Sequence, residues 1–128
     1  MPPSRVAPIG FVFIALTILF TVVGQILVKQ GMLEVGAVPP QLSAWPPFIG
    51  RSLTNPRVFI GFSCAFVAAL CWIVAVSKSP LSIAYPFMGL AIVLVLALSP
   101  LILGEAVPTK RWVGVLIVCA GLWLAAQK

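Results

Sequence analysis

The residues best suited to chemistry are a few polar side chains inside otherwise apolar stretches. Thr21, Gln25 and Lys29 follow one another at intervals of four, so on a helix they share one face. An unpaired charge at the centre of a bilayer costs at least about 2.5 kcal/mol, so a polar stripe in a membrane helix indicates function. Two interpretations remain open. The stripe lines a substrate pathway, or its members bond within the helix bundle while the lysine reaches the membrane surface.

A second group of polar residues lies later in the chain. Tyr85 precedes Pro86, which donates no backbone N–H and so leaves a carbonyl available beside the phenol. Glu105 comes shortly before the basic pair Lys110 and Arg111. These residues could form an interfacial tyrosine and a loop salt bridge. Alternatively, the basic pair and the lysine of the stripe meet an anionic headgroup, because all three cations lie at helix ends on one side.

The chain offers no set of residues typical of an enzyme. It contains no histidine, and of its two acidic residues Glu34 falls in a predicted loop while Glu105 falls at a helix end, so neither a catalytic triad nor a shared carboxylate pair is available. Cys64, Cys71 and Cys119 have no polar neighbours and are interpreted as packing residues, so no metal or cofactor is expected. The eight Lys and Arg residues form no stripe, which argues against nucleic-acid binding.

The elements that position these residues are predicted membrane helices. The 128-residue chain is 62% hydrophobic and 8% charged, with a mean hydropathy of +1.19, whereas soluble domains hold about 25% charged residues. Charge-free runs cover residues 6–28, 58–77, 79–104 and 112–127, and about 20 residues let a helix cross a bilayer. We therefore predict a single all-α domain, residues 1–128, with four transmembrane helices at about 9–30, 57–77, 81–103 and 112–127.

The connection between the first two predicted helices has its own pattern. Gly31 suits the C-terminal cap of the first helix. The long proline-rich segment that follows places Trp45, Phe48, Ile49 and Leu53 on one helical face. It is either an irregular loop or a short amphipathic helix lying on the membrane surface.

Small residues and prolines indicate where helices approach one another or bend. A ridge on the second helix and a glycine pair on the fourth permit close packing, and the pair favours oligomerisation. Prolines in the third helix can kink it, and bent helices at membrane depth often border a polar cavity. The ridge is Gly61, Ala65 and Ala69, the pair is Gly114 and Gly121, and the predicted hinges are Pro86 and Pro100.

The positive charges do not select one orientation in the membrane. One side would hold Arg5, Lys78 and Lys128, and the other would hold Lys29, Arg51, Arg57, Lys110 and Arg111. This split is too even for the positive-inside rule to decide. We place the connections after the first and third helices in the cytoplasm, with dual topology as the alternative.

With these residues identified, the sequence resembles the small four-helix members of the drug/metabolite transporter superfamily, which includes EamA-like and small multidrug resistance proteins. The likeness covers almost the whole chain. It is carried by residues 21–31 (TVVGQILVKQG), 80–86 (PLSIAYP) and 104–114 (GEAVPTKRWVG), the last leading to Gly121. The resemblance implies a bundle of four membrane helices that transports a solute.

Two branches of that superfamily are similar to the chain. The small multidrug resistance exporters share the Ala84-Tyr85 entry to the third helix and the glycine pair, which in that family forms the dimer contact. Their proton-binding glutamate matches Thr21 here, and their tryptophan after the tyrosine matches Met88. This branch implies proton-coupled export of cationic or other small solutes, for which Glu105 would be the only plausible proton carrier.

The other branch is the pair of small subunits proposed to flip aminoarabinose-phosphoundecaprenol across the bacterial inner membrane. It is similar at Gly24-Gln25, Lys29-Gln30, Ala84-Tyr85-Pro86 and Glu105. This resemblance implies a homo- or heterodimeric transporter of a polyprenyl-phosphate-linked sugar or a related amphiphile. Cations would bind its phosphate and polar side chains its sugar, while the acyl tail stays in the bilayer.

The residues that match this branch, together with the rest of the polar stripe and the basic pair, give the expected substrate-binding set: Thr21, Gln25, Lys29, Tyr85, Glu105, Lys110 and Arg111. A third possibility is an accessory subunit that assembles with a larger membrane protein through the small-residue ridge of the second helix.

Overall fold

The computed structural model describes residues 8–127, and this part of the chain is helical throughout apart from short connections. Arg5 and Lys128, two of the cations that bear on the orientation in the membrane, lie outside the described residues. The main helices are α1 (Pro8–Val35), α2 (Trp45–Thr54), α3 (Pro56–Ser77), α4 (Leu81–Leu98) and α5 (Thr109–Ala125). A 3₁₀ turn, Leu42–Ala44, precedes α2, and a π-helical turn, Ser99–Leu103, extends α4. The predicted all-α class is therefore confirmed.

Three of these helices are long and apolar enough to cross a membrane: Pro8–Val35, Pro56–Ser77 and Leu81–Leu103. Helix α5 has 17 residues, which is at the lower end of what a membrane span requires. These three helices make the chain a multi-pass membrane protein. A fourth membrane span formed by α5 stays a prediction.

Helix α1 ends later than the sequence predicts. It continues beyond Gly31 to Val35, and Gly36 follows with a φ of +103°, a conformation that favours glycine. Gly31 is therefore not the cap. It lies against α3, where an added Cβ would be 2.5 Å from Val58 Cγ2 and 2.7 Å from Asn55 Oδ1. The glycine instead allows α1 and α3 to approach closely. The local sequence around Gly31 is compatible with either role.

The proline-rich connection contains a helix, α2, so the helical alternative for this segment is correct. Phe48 and Ser52 are buried on its inner face, whereas Trp45, Ile49 and Leu53 are exposed. The Trp45 indole donates a hydrogen bond to the Pro39 carbonyl at 2.9 Å, which anchors the entry to the helix. The exposed apolar side chains favour a position at the membrane surface, which stays a prediction.

A polar clasp joins the end of α1 to the start of α3. The Asn55 side chain caps α3 by accepting hydrogen bonds from the N–H groups of Arg57 at 3.0 Å and Val58 at 3.3 Å. Its amide nitrogen donates to Glu34 Oε2 at 3.0 Å, and Arg57 Nη1 lies 2.8 Å from Glu34 Oε1. Glu34 therefore belongs to the last turn of α1, not to a loop as the sequence predicts, and it is held from two sides.

Helices α1 and α3 make the most extensive contact in the fold. At their crossing, an added Cβ on Gly24 would lie 2.8 Å from the Gly61 carbonyl oxygen, and one on Gly61 would lie 2.8 Å from the Gly24 carbonyl oxygen. The two backbones therefore touch, which only glycine permits. Beside this crossing, a buried cluster joins α1 to α3 and α4, and its members are Ile14, Ile18, Val22, Ile26, Ala75, Ala84 and Ala91.

Among the helices of residues 8–127, α5 contacts α4 alone. Leu122 fills the space beside Gly89, with its Cδ1 2.7 Å from where a Cβ on that glycine would lie. No residue of α5 is buried, and its large apolar side chains, such as Leu116 and Trp123, are exposed. Such a surface requires lipid or another protein to cover it.

Candidate substrate site

A cavity of about 400 Å³ lies between α1, α3 and α4. It brings together three of the predicted substrate-binding residues: Thr21, Gln25 and Tyr85. Its remaining walls are mainly apolar, which is typical of small-molecule sites with a few orienting polar groups. The other lining residues are Thr17, Gly24, Val28, Gly61, Phe62, Ala65, Ala68, Ala69, Trp72 and Met88.

The polar wall of the cavity comes from one face of α1. Thr17 extends this face by one turn, since it precedes Thr21 by four residues, and it is not among the site residues predicted from the sequence. The Thr17 hydroxyl donates to the Phe13 carbonyl at 2.7 Å, which satisfies it within the helix. The same four-residue spacing that relates Thr21 to Gln25 could have found it.

The opposite wall is aromatic. Trp72 of α3 and Tyr85 of α4 meet edge to face with ring centroids 5.3 Å apart, an arrangement that stabilises aromatic pairs. Trp72 is a second cavity residue that was not predicted from the sequence, because nothing in its local pattern distinguishes it from an interfacial tryptophan. Ala65 and Ala69, members of the predicted ridge, leave open the space that these rings border.

The three residues of the ridge have different surroundings. Gly61 is buried against α1, and the two alanines face the cavity. Ala65 and Ala69 are exposed, so assembly with a larger partner protein through the ridge stays a prediction.

Lys29 lies one turn beyond Gln25, outside the cavity lining, and forms an ion pair with Glu105. The distance from Lys29 Nζ to Glu105 Oε1 is 3.5 Å, and the two side chains are 50% and 43% exposed. A loop salt bridge from Glu105 to the following basic pair, one of the two interpretations that the sequence allows, is therefore wrong. The pair instead joins the end of the polar stripe to the connection after α4.

The π-helical turn places Glu105 beside Lys29. The Ser99 carbonyl accepts hydrogen bonds from the N–H groups of Gly104 and, at 3.4 Å, of Glu105. Gly104 then reverses the chain with a φ of +69°, a left-handed conformation. Pro100 lies within this wide turn, whereas Pro86 lies inside α4, which continues through it.

Lys110 and Arg111 occupy the first turn of α5, and both are exposed. Within residues 8–127 neither forms an ion pair. Cations at a helix N-terminus face the positive end of the helix dipole, which is unfavourable by about 0.3–1 kcal/mol. An anion at this membrane face would therefore be attracted by both side chains.

The glycine pair of α5 is open to its surroundings. A Cβ built on Gly114 or Gly121 would have no neighbour within 4 Å. Their role in a dimer stays a prediction.

The arrangement as a whole suits binding without bond-making chemistry. The lining side chains are neutral, and an ion pair stands one helical turn away. Within residues 8–127, no cluster of three His, Cys, Asp or Glu side chains could hold a metal ion. The geometry can offer hydrogen bonds and an aromatic surface to a polar group, with charges of both signs beside it.

Comparison with known proteins gives consistent relatives. The chain is 28% identical to the probable 4-amino-4-deoxy-L-arabinose-phosphoundecaprenol flippase subunit ArnF of Aeromonas hydrophila, over 98% of this chain and 85% of that protein. It is 30% identical to the probable flippase subunit ArnE of Salmonella paratyphi C, over 78% of this chain and 93% of that protein. The ArnF protein of Proteus mirabilis is 26% identical over 93% and 92% of the two chains. No solved structure matches the chain.

The model of the EamA-like transporter family matches residues 1–127, nearly the full sequence. This match and the relatives agree with the resemblance inferred from the polar motifs, and they indicate a membrane transporter, not an enzyme. The chain belongs to the EamA-like transporter family.

Proposed function

We propose that this protein is a subunit of a bacterial inner-membrane flippase for a polyprenyl-phosphate-linked sugar or a closely related anionic amphiphile. The observation that carries the proposal is the neutral, polar and aromatic cavity that opens one helical turn from Lys29. The relatives are named as flippase subunits for a sugar attached to phosphoundecaprenol, and these names support the same class of substrate.

Each part of such a lipid has a suitable counterpart. The sugar hydroxyls would bond to Thr21, Gln25 and Tyr85, and the ring would pack against Trp72. The phosphate would bind Lys29, aided by the exposed cations at the start of α5. The polyprenyl chain would remain in the bilayer, so the cavity needs to hold the headgroup alone.

A second subunit completes this proposal. Helix α5 leaves the small surface at Gly114 and Gly121 uncovered, and the relatives are named as subunits of two kinds. A homodimer or a heterodimer with a paralogous small subunit would cover this face. Alternating exposure of the site between subunits would then move the headgroup across the membrane.

The test is native mass spectrometry of the protein gently extracted from its membrane, followed by a flipping assay in vesicles. We expect a dimer that carries a polyprenyl phosphate or its glycosylated form, and transfer of the glycolipid across vesicles that contain the protein. A lipid-free dimer with a bound organic cation would instead support a proton-coupled drug exporter. A monomer that always accompanies a larger partner would support the accessory role.

The exporter alternative has a specific weakness in this structure. Thr21 occupies the cavity at the position that matches the exporters' glutamate, and Glu105 is paired with Lys29 outside the lining. pH-dependent transport that survives the Glu105→Gln substitution would exclude Glu105 as a proton carrier.

Filling the cavity provides a further prediction. Ala69→Leu adds apolar volume to the cavity wall at an exposed position of α3, so we expect at least tenfold slower flipping with unchanged folding. The matched control is Ser63→Leu, which places the same side chain on α3 away from the cavity. Equal flipping rates for the two variants in the vesicle assay would show that the headgroup does not enter this cavity.

A further inference from the structure

The ion pair between Lys29 and Glu105 is loose. The distance from Lys29 Nζ to Glu105 Oε1 is 3.5 Å, and the two side chains are 50% and 43% exposed. A charge-assisted hydrogen bond between a cationic nitrogen and a carboxylate is about 2.7–2.9 Å long. The other acidic residue, Glu34, meets this range with 2.8 Å to Arg57 Nη1, and it also accepts a hydrogen bond from Asn55. Of the two acidic residues, Glu105 is therefore the one whose side chain can change partners.

The backbone of Glu105 is held in place, whereas its side chain can turn. The Glu105 N–H donates to the Ser99 carbonyl at 3.4 Å, within the π-helical turn. The neighbouring residues Gly104 and Ala106 are exposed, and a Cβ built on Gly104 would meet nothing within 4 Å. Glu105 can therefore leave Lys29 and return to it by rotation of its side chain, without uncovering a buried group.

A phosphate that binds Lys29 has to replace this carboxylate. Both groups are anions with oxygen acceptors, and an ammonium group binds either of them as a point charge. The two anions cannot approach the same lysine together without repelling each other. Because Glu105 is tethered by its own backbone, its local concentration at Lys29 stays high whatever the lipid concentration is.

We propose that Glu105 is a built-in competitor of the substrate phosphate for Lys29, which weakens binding of the lipid and speeds its release. This inference rests on the proposed function and adds to it a residue that sets how long the lipid stays bound. A transport site has to bind its substrate well enough to admit it and weakly enough to let it leave. The carboxylate beside Lys29 meets the second requirement, because it takes the lysine back from the phosphate.

The test measures lipid binding to the detergent-purified protein by native mass spectrometry. The probes are a polyprenyl phosphate, the matching uncharged polyprenol, and phosphatidylglycerol. We expect Glu105→Gln to bind the polyprenyl phosphate about fivefold more tightly than the wild-type protein, the upper range for a half-exposed ion pair, and to release it correspondingly more slowly. The polyprenol should bind both proteins equally, because it has no phosphate to compete.

Two controls separate competition from general repulsion. In the Lys29→Ala background, measured at higher lipid concentration, Glu105→Gln should bring no gain, because competition requires the lysine. Simple repulsion between carboxylate and phosphate would act with or without it. Glu34→Gln, the control on the other acid, should bind like the wild-type protein. An equal gain without Lys29, an equal gain in Glu34→Gln, or an unchanged affinity in Glu105→Gln would overturn the assignment.

Failure of the proposed function looks different in the same experiment. If the wild-type protein and Glu105→Gln bind polyprenyl phosphate equally well, the flippase proposal stands and only the role of Glu105 is lost. If neither protein binds this lipid, the flippase proposal fails. A gain confined to phosphatidylglycerol would then show that Glu105 competes with bilayer phospholipids, and no gain with either lipid would end its role as a competitor.

Discussion

Replacing Lys29 by alanine is expected to abolish binding of polyprenyl-phosphate lipids while the fold stays intact. Lys29 continues the polar stripe one turn beyond the cavity lining, and its side chain is 50% exposed, so no buried packing is lost when it is replaced. Charge-assisted hydrogen bonds to phosphate are among the stronger polar interactions, about 1.5–3 kcal/mol each. We expect lipid affinity to fall at least tenfold, measured by native mass spectrometry, with an unchanged thermal unfolding temperature.

Two further variants decide whether the lysine itself binds the phosphate. Removing Lys29 leaves Glu105 without its partner, and this carboxylate alone could repel a phosphate. The double variant Lys29→Ala with Glu105→Gln removes that repulsion and should still bind poorly. Lys78→Ala, which removes an exposed cation between α3 and α4, should bind normally. Normal binding by Lys29→Ala would mean that this lysine only reaches toward the membrane surface.

Replacing Gly61 by leucine is expected to disrupt the packing of α1 against α3. An added Cβ would lie 2.8 Å from the Gly24 carbonyl oxygen and 2.6 Å from Val28 Cγ2. A backbone carbonyl cannot move aside as a flexible side chain can, so α1 and α3 would have to separate. Overpacking of this kind costs about 1–3 kcal/mol, and a backbone clash belongs at the upper end of that range.

The measurement is thermal unfolding in detergent, followed by size-exclusion chromatography. Gly50→Leu is the matched control, because Gly50 of α2 has nothing within 4 Å of its added Cβ. We expect the control to unfold like the wild-type protein and Gly61→Leu to unfold at a lower temperature or to aggregate. Similar unfolding temperatures for both variants would contradict the tight crossing of α1 and α3.

Much of the helical architecture could be predicted from the sequence, because long apolar runs between charged residues are typical of membrane helices. Helix α3 begins at Pro56 and α4 follows at Leu81, close to the predicted positions, since Asn55 and Pro80 give clear local signals. The end of α1 was missed because a glycine can either end a helix or admit a neighbour. Only the position of α3 beside Gly31 distinguishes the two.

The candidate site was partly accessible for the same reason. Helical spacing placed Thr21 and Gln25 on one face, and the structure places both in the cavity with Tyr85. The partner of Glu105 could not be predicted, because its contact with Lys29 joins distant parts of the sequence. Proximity in the sequence favoured the basic pair Lys110 and Arg111 as partners of Glu105. The path of the chain through the π-helical turn brings Glu105 to Lys29 instead.

That π-helical turn makes the ion pair depend on chain length as well as on residue identity. A π turn holds one residue more than an ordinary helical turn, and such turns arise where a helix accommodates an inserted residue. Losing one residue from Ser99–Leu103 would restore regular helix and rotate everything after it by about 100°. A chain that keeps the ion pair between Lys29 and Glu105 therefore has to keep the helix register before Glu105 as well.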